Sequence, residues 1–184
     1  MSHRNGLIAL TVGIAFSISA WGHAVIDTAT VTPGRQFVNV RITHGCGTAA
    51  TQTVRIQMPA GVTRVYPFYI PGWTVKTKLR KLDQPFKGED GVMVTETIDQ
   101  IDWTGGPVPD GLFAEFRFKA DVPAEPGRTL YFKTIQLCEK GEVRWIETPK
   151  PGEKDFSYEP GNPILKYKEP APFTKIVVGP ASTH

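Results

Sequence analysis

The side chains best suited to bind a transition metal are few: four histidines, His3, His23, His44 and His184, and two cysteines, Cys46 and Cys138. His23 gains its chemistry from what precedes it. Arg4 opens a positively charged segment, Leu7 to Ala20 is an apolar stretch, and Ala20-Trp21-Gly22 sets small residues at positions −3 and −1 of a signal-peptidase site. The apolar stretch is shorter than the roughly 20 residues of a membrane-spanning helix, so residues 1–22 read as a signal peptide and residues 23–184 as the exported domain. After cleavage His23 is residue one, with a free α-amine beside ring Nδ1. The amine, with a reference pKa of about 7.7–8.0, gives up its proton to a metal near neutral pH at little cost. Two nitrogens closing one chelate suit Cu(II), which prefers tetragonal N and O donors and heads the divalent affinity order.

The other reactive residues narrow the chemistry. His44 lies in Thr43-His44-Gly45-Cys46 and is read either as a second ligand or as a strand-end histidine hydrogen-bonded locally. Trp145, in Arg144-Trp145-Ile146-Glu147, is read either as core or as a ring facing a cation. Cys46 and Cys138 are an even pair in an exported chain and lack CxxC spacing, so they are expected to form a disulfide. The chain has no HxH or HExxH pair, no Gly-rich phosphate loop and no GxSxG elbow. Zinc hydrolases, nucleotide-binding enzymes and serine esterases therefore lack their signatures. Scattered carboxylates suggest no glycosidase pair.

The elements that must hold these residues are strands. The 184 residues are 40% hydrophobic and 21% charged, with 18 Gly and 16 Pro. That amount of apolar sequence supports one folded core, while the Gly and Pro content argues against a helical bundle. A net charge of +3 is too small to suggest nucleic-acid binding. Alternation or β-branched enrichment predicts strands over 40–42, 54–58, 73–79, 92–98, 114–120, 129–137 and 143–146, with a last one at 176–178. Pro59-Ala60-Gly61, Pro71-Gly72 and Asp90-Gly91 mark turns. The expected fold is all-β, an antiparallel β-sandwich in a single domain with a Pro-rich coil after Pro149.

These pieces, in order, resemble the exported YcnI-like domain: His23-Ala24, His44-Gly45-Cys46, Val54-Arg55-Ile56-Gln57-Met58-Pro59, Pro71-Gly72-Trp73, Trp103-Thr104-Gly105-Gly106, Phe116-Arg117-Phe118, Gln136-Leu137-Cys138-Glu139-Lys140-Gly141, Val143-Arg144-Trp145-Ile146-Glu147 and Glu169-Pro170-Ala171-Pro172. The resemblance implies Cu(II) bound through the N-terminal histidine, with His23 as ligand and Trp145 as its neighbour. The family's glutamate on the second strand has no counterpart here: Gln36 aligns near it, and Asp27 or Glu147 is the alternative source of a carboxylate. The expected function is copper homeostasis or trafficking outside the cytoplasm, without turnover. The expected partners are copper itself and a membrane copper transporter or another periplasmic copper chaperone. No nucleic acid and no stable membrane insertion after cleavage are expected. Two alternatives remain. One is a copper-dependent polysaccharide oxygenase, which would need His44 as its second histidine. The other is a non-metal envelope interaction domain presenting Tyr66, Phe68 and Tyr69.

Overall fold

The computed structural model describes residues 23–88 and 90–179. The signal peptide expected over residues 1–22 and the terminal His184 lie outside the described residues. Twelve strands are defined among those residues: β1 (Val25–Ile26), β2 (Thr30–Val31), β3 (Gly34–Ile42), β4 (Thr51–Gln57), β5 (Thr63–Pro67), β6 (Trp73–Lys87), β7 (Met93–Val108), β8 (Ala114–Val122), β9 (Thr129–Tyr131), β10 (Thr134–Cys138), β11 (Glu142–Trp145) and β12 (Phe173–Ile176). They form a four-stranded sheet in the order β1-β3-β8-β5 and a five-stranded sheet in the order β11-β10-β4-β7-β6. A small third sheet has the order β2-β12-β9. A single 3-10 turn, Pro163–Lys166, interrupts the C-terminal coil.

Alternation decides which face of each strand turns inward. Val38, Val40 and Ile42 of β3 are buried, as are Phe116, Phe118, Ala120 and Val122 of β8. The second sheet contributes Val54 and Ile56 of β4 with Ile101 and Trp103 of β7, all inaccessible to solvent. The sheets meet through edge-on aromatic contacts: Phe116 lies 5.6 Å from Trp103 and 5.2 Å from Trp73 between ring centroids. Such geometry suits the positive edge of one ring against the negative face of another. The architecture is the expected antiparallel sandwich, although β12 runs parallel to β2.

Besides the longer spans of β3, β6 and β7, the structure differs from the sequence expectation at four places, each for a visible reason. The segment expected as one strand over 129–137 is two, because the chain changes sheets at Phe132-Lys133. There the Phe132 N–H bonds Pro172 O at 2.8 Å and Lys133 O accepts from the Gln57 N–H at 2.9 Å. Strand β5 was not expected, since its edge position, its Pro67 and the positive φ of Arg64 (45°) give it no alternating pattern. The short β1 and β2 carry too few residues for a period to be read. The last strand spans Phe173–Ile176 rather than 176–178, with its backbone recruited by β9 and β2. No helix among the described residues is long and apolar enough to cross a membrane.

Candidate metal site

Strand register brings the two described histidines together. β1 runs antiparallel to the end of β3, with Val25 opposite Arg41 and Ile26 opposite Val40. Continuing that register by two residues sets His23 against Thr43, and the Thr43 hydroxyl donates to His23 O at 3.3 Å. His44 is the next residue along. Trp145 arrives from the other sheet at the end of β11, opposite Thr134 of β10. The Trp145 ring centroid lies 5.6 Å from that of His23, tilted by 59°, and 6.1 Å from that of His44, edge-on at 84°. One end of the sandwich thus holds two half-buried imidazoles against a tryptophan that is only 4% exposed.

The Thr43–Cys46 segment is held from several sides. The disulfide Cys46–Cys138 fastens it to β10 across a sequence separation of 92 residues. The Gly45 N–H donates to Asp110 Oδ1 at 3.0 Å. Gly45 itself is required by space, because a Cβ there would come within 2.1 Å of Ala49 O. The fully buried Gln136 of β10 joins the parts: its amide Nε2 donates to His44 O at 2.6 Å and to Thr51 Oγ1 at 2.7 Å, while its Oε1 accepts from Trp145 Nε1 at 3.2 Å. All the groups of that buried amide are paired, as a low-dielectric site demands. Sequence reasoning passed over Gln136 as a positioning residue. The available signal was inverted alternation in β10, where Thr134 and Gln136 face inward while Ile135 and Leu137 are half-exposed.

The electrostatics favour an unprotonated His23. Burial, and secondarily the charge of His44, push its imidazole below the ordinary histidine range. His23 also lines a cleft of about 240 Å³ with Tyr158, Ile164, Leu165, Tyr167 and the Pro170–Phe173 run. The C-terminal coil therefore forms one wall beside the histidine.

The carboxylate and amide candidates are distributed differently. Gln36 lies at the opposite end of β3, paired with Ala120, and its amide donates to Thr32 Oγ1 at 2.9 Å. Five residues separate it from Arg41, roughly 17 Å at about 3.3 Å per residue, so the fold does not bring it to His23. Asp27 is engaged by Arg41 in an ion pair and accepts from Asn39 Nδ2 at 2.8 Å. Glu147 follows Trp145 by two residues, but its Oε2 accepts the Glu169 N–H at 2.6 Å, and its backbone bonds Glu169 O and the Ala171 N–H. It anchors the coil that walls the cleft. Among the described residues no group of three or more His, Cys, Asp or Glu side chains converges on one point. A metal here would need donors beyond such a preassembled cluster, and the α-amine of a mature N-terminus is one. The side chains of this kind nearest Trp145 are the imidazoles of His23 and His44, and imidazole nitrogen is a donor that Cu(II) accepts.

Comparison with known proteins places the chain in context. The family described as a domain of unknown function, DUF1775, matches residues 23–174. No curated protein matches the chain significantly. Among solved structures, the crystal structure of an uncharacterised protein from Nocardia farcinica, described as an immunoglobulin-like fold, is similar with a TM-score of 0.57. It shares 21% sequence identity and covers 85% of this chain and 99% of that one. At that identity the likeness establishes the fold alone, and it agrees with the sandwich described above.

Proposed function

The chain belongs to the DUF1775 family, and for this member we propose an exported Cu(II)-binding role in taking up, holding or delivering copper, without catalytic turnover. YcnI-like proteins carry this domain, and the matched region opens on His23. The observation that carries the reading is the seating of the His23 ring 5.6 Å from the Trp145 ring at one end of the sandwich. Residue 23 is held there by the β1–β3 register and by Thr43, so a mature α-amine and Nδ1 would form a chelate on a rigid support. Trp145 would face the ion with its ring while its indole N–H stays with Gln136. The protein would act outside the cytoplasm, in the periplasm or its equivalent. It would exchange copper with a membrane copper transporter or another periplasmic chaperone.

The test is electron paramagnetic resonance and competition affinity with Cu(II), on a chain starting at His23 and on one retaining a single residue before it. The expected result is a tetragonal signal with nitrogen couplings for the first chain. The extra residue, by moving the amine away, should lower affinity by at least about tenfold. Equal affinities would refute the chelate.

A further inference from the structure

We infer that the outer face of the β1-β3-β8-β5 sheet docks an acidic, extended segment of a partner protein, on a cluster of Phe37, Tyr66, Phe68, Arg117 and Lys119. The cluster lies on the face of the sheet rather than at its histidine end, and the inference does not depend on the copper reading.

Strand register assembles the cluster. Lys119 of β8 stands between Phe37 of β3 and Tyr66 of β5. One step along the same face, Arg117 lies opposite Asn39, and its carbonyl accepts the Phe68 N–H at 2.9 Å. Alternation turns Phe116 and Phe118 into the core and therefore Arg117 and Lys119 outward. Both cations settle on rings: the Arg117 guanidinium is 5.0 Å from the Phe68 centroid, and the Lys119 ammonium is 5.2 Å from that of Tyr66. Phe37 meets Phe68 edge-on at 5.9 Å. The three rings are nevertheless 60%, 56% and 37% exposed for Phe37, Tyr66 and Phe68, and contiguous exposed apolar surface of this kind marks a contact site. Tyr66 and Phe68 are two of the aromatics that the sequence singles out for a surface role; Phe37 joins them only in the fold.

Charge selects the occupant. The neighbouring carboxylates are already answered, Asp121 by Arg35 and Arg64, and Asp27 by Arg41. Arg117 and Lys119 have rings where those arginines have carboxylates, and among the described residues no ion pair engages either of them. A ring holds a cation in position without neutralising it. The strand therefore presents two positive charges two residues apart, roughly 6.6 Å at about 3.3 Å per residue. Alternate side chains of an extended polypeptide repeat at the same spacing, so acidic residues at positions i and i+2 of a partner meet both cations. The rings on either side of β8 then shield those contacts from water, and aromatic residues with Arg are the types enriched at interface centres. Glu115, two residues before Arg117 on the same face of β8, sets a like charge at one end of the acidic segment.

The experiment is a two-dimensional NMR titration of the isotope-labelled chain starting at His23 with a short peptide of alternating Glu and Val, and with its Lys and Val counterpart. The variants are Glu115→Gln and the double change Arg117→Gln with Lys119→Gln, with melts by circular dichroism confirming that each is folded. The expected result is saturable shifts of β3, β5 and β8 amides around the cluster with the acidic peptide alone, weakening as salt screens the exposed charges. The double variant should bind at least about tenfold more weakly, the scale of one interface anchor. Glu115→Gln should bind more tightly. No saturable shift on this face, equal shifts with the basic peptide, or unchanged affinity in the folded double variant would overturn the inference. Polygalacturonate and phosphatidylglycerol vesicles are titrated in parallel. Tighter binding of either at the same residues would overturn a protein occupant and assign the face to an anionic glycan or to a membrane surface.

Discussion

At the scale of single residues, the site depends on a buried amide more than on any charge. Gln136 is 1% exposed and bonds the histidine loop, Thr51 and Trp145 at once. Gln136→Leu matches its volume roughly but strips the indole N–H and His44 O of their partners. Each buried group left unpaired costs about 1–3 kcal/mol, so the variant should unfold at lower urea and bind Cu(II) less tightly. A urea titration followed by Trp fluorescence measures the first effect, and an unchanged midpoint would show that the network is dispensable. Gly45 is constrained by space, since Ala49 O occupies the position a Cβ would take. The His44-Gly45-Cys46 triplet thus has a separate reason for each member: a ring packed edge-on to Trp145, a close backbone approach and a covalent anchor.

At the scale of elements, the ends of β1 and β3 create the site and the disulfide ties the loop after β3 to β10 of the other sheet. Cys46 and Cys138 enclose 92 residues of separation, for which the chain-entropy account gives about 4–5 kcal/mol of stabilisation. Replacing both cysteines by serine should lower the melting temperature. It should also weaken Cu(II) more than a distant destabilising change would, because the loop whose Thr43 holds the His23 backbone loses its anchor to β10. Calorimetry and competition affinity on the same variant measure the two effects, and an unaltered affinity would mean that Gln136 and Asp110 suffice. Other elements support the sandwich and its coil. The long edge strand β6 carries Lys76, Lys78, Lys81 and Lys87, charges that discourage edge-to-edge pairing with another chain. Gly106 lets β7 pass under the Trp73 ring, where a Cβ would lie 2.6 Å from the indole. Phe156 packs against Tyr131, Tyr167 and Phe173, fixing the coil whose later residues wall the His23 cleft.

At the scale of the whole molecule, every strand of the two main sheets defined among the described residues lies at residue 25 or beyond. A chain beginning at His23 should therefore fold to a β-rich structure with one cooperative transition. Circular dichroism and a urea titration of that chain check this, and a non-cooperative transition would mean that the sandwich needs more than its own sheets. Much of this was legible in the sequence. Alternation in 40–42, 54–58 and 114–120 identified inward faces because a strand buried on one side leaves a period of two. The cysteine pair was readable because it depends on residue type and an even count. Tertiary structure alone decided which residues meet. Gln36 and His44 both lie on or just beyond β3, yet the antiparallel register of β1 sets His23 beside Thr43 and leaves Gln36 at the other end. Trp145 reaches the histidines only because the second sheet packs across the first. Contacts between residues 20 to more than 100 positions apart follow from register and sheet packing, which no local pattern encodes.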